Sequence, residues 1–216
     1  MSHFRRPVTP AEIGPTLQQL IDELVPGGQP IYVDVRPLEG APANECFPLV
    51  DALVERLGGQ RLLGWSLWEF PTLFVEAEFH AVWQMGTGRL VDPAPKQEAT
   101  ERVLFLPDTS STYTGLQVNN VRRAIRQDPL LQAYLRTFDA QFELLNRGER
   151  AGQHGMVSLL DDEAQEMYEI QLQREQLHLQ LAACFPEVGP YHPCPCGSGK
   201  KVRWCHREAA PKGQPR

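Results

Sequence analysis

Three cysteines and one histidine lie within 13 residues near the end of this 216-residue chain. Four nitrogen and sulfur ligands are the set that a closed, tetrahedral structural zinc site needs. The surrounding segment is too short and too polar to bury a core of its own, so a bound metal would supply the free energy that orders it. The sequence therefore predicts a Zn²⁺ site, and its ligands are Cys194, Cys196, Cys205 and His206.

The spacing of these ligands has a known counterpart. Cys194 and Cys196 are followed by a turn at Gly197-Ser198-Gly199, by two lysines and then by the Cys205-His206 pair. This pattern resembles the SEC-C motif, the zinc-binding tail first known from the bacterial preprotein translocase ATPase. The resemblance implies bound zinc and a contact with a protein or ribonucleoprotein partner through the tail. It does not imply protein export, because the same motif ends many unrelated bacterial proteins.

Two other interpretations of the tail remain open. The thiols would also suit a redox-active cluster, and a tail of this composition would also suit a disordered segment. Cys184 lies ten residues before the first predicted ligand, and the four-ligand set is complete without it. We expect Cys184 to be a small hydrophobic core residue.

The charge of the chain is divided unevenly. Residues 194–216 contain six lysines and arginines against one glutamate, which leaves the tail at +5 and the rest of the chain at −11. An acidic body is a poor binder of nucleic acid, so we expect no DNA binding from it. The basic tail suits an acidic partner, although a solvated tail would have the same composition.

Composition also predicts the cellular location of the protein. Apolar residues make up 42% of the sequence, yet no apolar run is long enough to cross a membrane, and the first residues lack the apolar stretch of a secretory signal. Five cysteines, three of them in the tail, favour metal binding over a disulfide framework. We therefore expect a cytoplasmic protein without a membrane span.

The pattern of apolar residues predicts an α+β protein in three parts. Thr9 is the expected N-cap of the first helix, Cys46 begins the second, and Gly86-Thr87-Gly88 forms a hairpin. Further helices are predicted at 118–125, 130–145 and 161–184, and strands at about 31–35, 62–68, 74–83, 89–91 and 103–106. The predicted parts are an α+β body (1–112), a helical extension (113–185) and the zinc knuckle (191–208).

Three residues of the body form a candidate catalytic triad. Cys46 is placed at a helix N-terminus, where the helix dipole favours a thiolate. His80 lies in a predicted strand and Asp92 ends the next strand across the hairpin, so the two side chains are expected to be neighbours. The chain order of nucleophile, base and orienting carboxylate suits a Cys-His-Asp site.

The layout around residues 44–93 resembles the papain-like and transglutaminase-like fold. In that family a cysteine opens a helix packed on an antiparallel sheet, and a histidine and an aspartate follow on neighbouring strands. The resemblance implies a cysteine-dependent hydrolase or acyl transferase with Cys46, His80 and Asp92 as its catalytic residues. Asn44 would help to bind the oxyanion.

The same residues also have simpler interpretations. A cysteine near a helix start often only packs, a strand histidine is often a core residue, and an aspartate before proline often forms a turn. An alternative functional reading is a second metal site, formed by Glu76, Glu78 and His80 on one face of a strand together with Asp92. Both interpretations stay open at the level of sequence.

Aromatic residues are concentrated in the predicted central strands. They suit either a groove for a peptide or acyl chain or, more simply, a cross-strand core. The residues concerned are Trp65, Trp68, Phe70, Phe74, Phe79 and Trp83.

Two functions from different classes follow from these patterns. In the first, the body is a thiol-dependent enzyme that the zinc tail brings to a macromolecule. In the second, the protein is a non-catalytic adaptor whose tail is the interaction surface and whose body is a scaffold.

Overall fold

A long β-hairpin forms the centre of the protein. The computed structural model describes residues 6–42, 45–153, 157–185 and 199–201. Its two longest strands, β2 and β3, pair antiparallel from Gln60 with Gln84 to Phe70 with Phe74. The elements in chain order are α1 (Pro15–Leu24), β1 (Ile31–Val35), α2 (Cys46–Leu57), β2 (Gln60–Phe70), β3 (Phe74–Gln84), β4 (Leu90–Asp92), β5 (Arg102–Pro107), β6 (Val121–Ala124), α3 (Pro129–Leu145) and α4 (Asp161–Cys184).

Five of the strands close into a ring. β2 pairs with β5, β5 with β1, β1 with β4 and β4 with β3, and the β2–β3 ladder completes the circle. The protein is therefore α+β, as expected, but its sheet closes into a five-stranded barrel, whereas the prediction was a helix packed on an antiparallel sheet of the papain-like kind. One pair, β1 with β4, is parallel. A crossover between them, which includes α2 and the central hairpin, makes this parallel pairing possible.

The barrel is filled by apolar side chains from four of its strands. Val33 and Phe105 pack in one buried cluster with Trp68 of β2 and Val82 of β3. Alternate residues of β3 point the other way and meet the helices. Ala77 packs with α1 outside the ring, and the apolar face of α2 packs beside it along the same strand.

The first helix begins later than the sequence predicts. Helix α1 starts at Pro15, which occupies the first turn after the N-cap residue Gly14. Thr9, the predicted N-cap, instead donates its hydroxyl to the carbonyl oxygen of Arg102 at 2.7 Å. Proline fits the first turn of a helix because its missing N–H would have no intrahelical partner there.

The helix predicted at 118–125 is wrong. Residues Val121–Ala124 form strand β6, which pairs antiparallel with the first half of β3. Arg122 and Arg123 bind carboxylates at positions distant in sequence, Glu76 and Glu23. These long-range contacts favour the strand over the local helical pattern.

Two helices cover the end of the hairpin. Helix α3 begins where the Asp128 side chain accepts a hydrogen bond from the backbone N–H of Leu131 at 3.0 Å. Helix α4 spans the predicted residues and buries Leu181 in a cluster with Phe74 and α3. Within the described ranges, no helix has the length and apolar character needed to cross a membrane.

A close approach of two strands generates the first prediction. A Cβ atom at Gly64 would overlap the carbonyl oxygen of Leu106 and would lie 2.7 Å from the ring of Phe105. Because backbone cannot move aside cheaply, we expect Gly64→Ala to lower the free energy of unfolding by about 1–3 kcal/mol. Urea denaturation measures this change.

Gly86 supplies the matched control, since a Cβ there would meet no atom within 4 Å. Gly86→Ala should leave the urea midpoint close to that of the wild-type protein. Equal midpoints for the two variants would contradict the close packing of β2 on β5.

Candidate active site

The candidate site lies where β3 changes its strand neighbour. One edge of β3 pairs with β4 at Trp83 and Gln84 and with β6 at 74–77. Between these pairings, residues 78–82 have β2 on one edge and, in the described part of the chain, no strand on the other. The sheet therefore splits at this point, and the side chains that face the split can reach a ligand.

His80 and Asp92 meet beside this split. Nε2 of His80 lies 2.9 Å from Oδ2 of Asp92, and both side chains are buried. The other oxygen of Asp92 accepts the backbone N–H of Ala94 at 3.0 Å. Because Asp92 ends β4 and is held by the following turn, its carboxylate fixes the orientation of the imidazole.

A lysine that the sequence did not point to completes this cluster. Nζ of Lys96 lies 2.7 Å from Oδ2 of Asp92 and 3.2 Å from Nε2 of His80, and its side chain is only 9% exposed. Lys96 follows a turn that contains two prolines, and no periodic pattern marks it. Its position four residues after Asp92 was the one available signal.

The buried charges shift both titrating groups. Burial by itself would lower the pKa of His80, but the carboxylate of Asp92 and the nearby Cys46 raise it to about 10 against the opposing charge of Lys96. Burial would raise the pKa of Asp92, yet the charges and hydrogen bonds of His80 and Lys96 lower it to about 2. The imidazolium and the carboxylate thus stabilise each other.

Cys46 approaches the pair from the start of a helix. It is the first residue of α2, it is 6% exposed, and it packs with Ala81 and Ala94. Cys46 lines the same cleft as His80, and a negative charge on its sulfur would raise the pKa of His80. Within the described residues, Nδ1 of His80 is buried and has no hydrogen-bond partner, so the thiol is near the imidazole but not hydrogen-bonded to it.

A cleft of about 690 Å³ joins these groups to the rest of the split. Cys46, His80 and Lys96 line one part of it, and Glu78 and Glu76 continue along β3. Helices α3 and α4 line another part with aromatic and polar side chains. The cleft residues contributed by these helices are Tyr134, Phe138, Gln141, Phe142, Leu145 and Arg174.

Two arginines, Arg122 of β6 and Arg174 of α4, lie against Phe138 of α3. The guanidinium of Arg122 lies 4.7 Å and that of Arg174 lies 4.2 Å from the ring centre of Phe138. Arg122 is paired with Glu76 at 2.5 Å. Burial raises the pKa of Glu76 against the charge of this arginine. These contacts place both positive and negative groups in one cleft.

The structure does not bring the proposed ligands of a second metal site together. No group of three or more candidate ligands occurs among the residues that the structure describes. Two of the four proposed ligands are occupied by cations, since Glu76 binds Arg122 and Asp92 binds Lys96.

The aromatic residues serve mainly as core, with two of them at the cleft. Trp65, Trp68, Phe74, Phe79 and Trp83 are buried, and Trp68 and Phe70 also line the cleft. Cys184 is exposed, so the expectation that it packs in the core is wrong. It lies at the last turn of α4, beyond the last buried residue of that helix.

The predicted zinc ligands Cys194, Cys196, Cys205 and His206 lie outside the described residues, and so does Asn44. The zinc site and the oxyanion role of Asn44 therefore stay predictions.

Comparison with known proteins gives one short match. A stretch of 54 residues is 41% identical to the protein translocase subunit SecA of Stutzerimonas stutzeri (strain A1501). It makes up 25% of this chain and 6% of that protein, so the chain spans a small fraction of its relative's length. No family model matches the chain, and no solved structure matches it. The SecA match agrees with the SEC-C resemblance, but nothing in the comparisons supports a papain-like body.

The raised pKa of His80 predicts how stability depends on pH. Between about 6.5 and 10, the folded chain holds a proton on His80 that the unfolded chain has released. The free energy of unfolding should therefore fall as pH rises through this window, by at most about 1.4 kcal/mol per pH unit. Urea denaturation across the pH range measures the slope.

His80→Gln provides the control, because glutamine cannot hold that proton. The variant should lose this part of the pH dependence whatever its stability. An unchanged slope in the variant would show that His80 is not protonated in the folded protein.

Proposed function

We propose that the body is a cysteine-dependent hydrolase or acyl transferase with Cys46 as the nucleophile. One observation carries the proposal: His80 is fixed through Nε2 on Asp92, while its buried Nδ1 has no partner within the described residues. Cys46 and His80 line the same cleft. A free, buried ring nitrogen beside a thiol is what proton exchange between them requires.

The proposed reaction begins with a thiolate and an imidazolium. Sγ of Cys46 attacks a substrate carbonyl, and the carbon–sulfur bond forms as the carbonyl electrons move to oxygen. The bond to the leaving amine or alcohol then breaks, and the leaving group takes the proton from His80. Water or an acceptor amine next attacks the thioester, gives its proton to His80 and releases the thiolate of Cys46.

The start of α2 would stabilise the charge that develops in this reaction. The first N–H groups of a helix have no intrahelical partner, and the helix dipole favours negative charge there. Cys46 and Phe47 supply two such groups, and Pro48 has none to offer. The predicted help from Asn44 would add a side-chain donor.

The resemblance to papain-like and transglutaminase-like enzymes enters here as part of the proposal. Its support is local: a cysteine at a helix start, a histidine on β3 and an aspartate at the end of β4. These residues lie around a closed barrel here, whereas the papain-like family arranges its cysteine, histidine and aspartate around an antiparallel sheet.

A second candidate function rests on the SecA match. A zinc-bound, basic tail would contact a protein or ribonucleoprotein partner, and the body would act as a scaffold in the cytoplasm. The observation that favours it is the 54-residue similarity to SecA. The two functions are separable, because one depends on Cys46 and the other on the predicted zinc ligands.

Alkylation of Cys46 tests the enzyme proposal. With iodoacetamide in limiting amount, and the labelled site identified by mass spectrometry, the rate at Cys46 should level off well below the usual thiol pKa of about 8.5. At pH 6 we expect the wild-type thiol to react about 100-fold faster than the same thiol in His80→Gln, which lacks the stabilising imidazolium.

Cys184 is an internal reference, because it is an exposed cysteine of the same chain. Cys46→Ala shows that the fast-reacting site is correctly assigned. A rate at Cys46 that rises with pH as an ordinary thiol does, in both wild-type protein and His80→Gln, would rule out the activated nucleophile.

Metal analysis tests the tail. The purified chain should hold about one zinc per molecule, because four ligands complete one tetrahedral site. Cys205→Ser should lose the metal, whereas Cys46→Ser should keep it. Zinc-free wild-type protein, prepared with zinc present throughout, would contradict the SEC-C assignment.

A further inference from the structure

Besides His80, six side chains with a full charge line the cleft, and four of them have ion-pair partners. The pairs are Lys96 with Asp92 at 2.7 Å, Arg122 with Glu76 at 2.5 Å and Glu98 with Arg6 at 3.0 Å. Glu78 and Arg174 are the other two, and neither has an ion pair with any residue that the structure describes. Outside the cluster of His80, Asp92 and Lys96, the cleft thus presents one unbalanced charge of each sign.

Glu78 lies beside the candidate thiol site. It is two residues from His80 on the same face of β3, which separates their Cα atoms by about 7 Å. Its carboxylate accepts one hydrogen bond, from Nε1 of Trp68 at 3.3 Å. An ionised carboxylate has about four acceptor positions, so most of its capacity is left for a ligand.

Arg174 lies on the opposite, helical wall. Its guanidinium donates to the hydroxyl and carbonyl oxygens of Thr137 at 3.0 and 2.7 Å and to the side chain of Gln141 at 2.6 Å. All three acceptors are neutral. Burial lowers the pKa of Arg174, which reflects the cost of keeping this charge away from water. An anionic group of a ligand would offset that cost.

The contacts between these residues give the order of charges along the cleft. β3 runs from His80 through Glu78 to Glu76, about 13 Å between the outer Cα atoms. Arg122 follows through its pair with Glu76, and the guanidinium groups of Arg122 and Arg174 both lie against the ring of Phe138. Glu78 is therefore next to His80 along the cleft, and Arg174 lies beyond Glu76 and Arg122.

We propose that the cleft binds a peptide-like acyl substrate in one direction, with a cationic group against Glu78 next to the reacting carbonyl and an anionic group against Arg174 farther along. This specificity rests on the proposed thiol chemistry. It also explains why two charges of opposite sign stay without an ion-pair partner among the described residues of one cleft.

Reactive peptides test the order of charges directly. The probes are iodoacetyl-Lys-Ala-Ala-Ala and iodoacetyl-Gln-Ala-Ala-Ala, each with either a free carboxylate or a C-terminal amide. We expect wild-type Cys46 to react about fivefold faster with Lys than with Gln, and faster with the carboxylate than with the amide, as partly exposed ion pairs allow. Glu78→Gln should remove the first preference alone, and Arg174→Gln the second alone.

Glu98→Gln is the matched control, because Glu98 lines the same cleft but is already paired with Arg6. It should leave both preferences unchanged. Arg174→Lys, which keeps the charge, should retain the preference for the carboxylate even if helix packing is weakened. Equal rates with all four probes, or preferences that survive Glu78→Gln and Arg174→Gln, would overturn the inference.

These preferences are ratios measured on one thiol, so they do not depend on whether that thiol is activated. Fast alkylation near neutral pH without charge preference would support the proposed thiol chemistry and contradict the proposed charge specificity. Slow alkylation with clear preferences would contradict the proposed thiol chemistry and support a charge-selective binding cleft. If the thiol is unreactive, the four peptides can instead carry an acetyl cap and a fluorophore on a side chain. Their binding to the Cys46→Ala protein, measured by fluorescence anisotropy, gives the same comparison.

Discussion

The antiparallel ladder between β2 and β3 is the interaction on which the rest of the structure depends. It extends over the full length of both strands, from Gln60 with Gln84 to Phe70 with Phe74. Because the two strands are fixed on each other, their outer edges decide what else can join. β2 pairs with β5 and so leads into the ring, while β3 shares its outer edge between β4 and β6. The barrel and the cleft are two consequences of the same hairpin.

The division of that edge explains why polar groups can lie in the middle of a strand. Between β4 and β6, β3 faces a cleft instead of another strand, and Glu78 and His80 lie in this interval. In a continuous sheet these side chains would need partners on the neighbouring strand, because buried polar groups without hydrogen bonds are costly. Here Trp68 and Asp92 each make one hydrogen bond to these side chains, and the cleft leaves room for a ligand to make more. Trp68 and Phe70 form part of the wall, so the aromatic residues of the hairpin serve the core and the cleft together.

The local sequence pattern was enough to predict contacts between neighbouring elements, but it could not predict pairings between residues far apart in sequence. The contact between His80 and Asp92 could be predicted, because a short hairpin brings the end of one strand beside the other. Strand β6 could not, since its pairing with β3 and its ion pairs with Glu76 and Glu23 join residues far apart in sequence. Closure of the barrel likewise depends on long-range pairing, because β1 must pair with both β4 and β5. Lys96 was missed because it lies in a turn without any periodic pattern, although it is part of the buried cluster.

The charge of that buried cluster bears on the state of the thiol. Lys96 is positive and Asp92 is negative, and the raised pKa of His80 adds a second positive charge near neutral pH. The three buried groups together carry a net charge of about +1, which is costly without an anion nearby. Cys46 lies at the positive end of a helix beside the imidazole and supplies that anion if its thiol ionises. Lysine only donates hydrogen bonds, so Lys96 can bind Nε2 of His80 only after this nitrogen has lost its proton. With the proton on Nε2, Asp92 is the shared acceptor, and Nδ1 stays without a hydrogen-bond partner among the described residues.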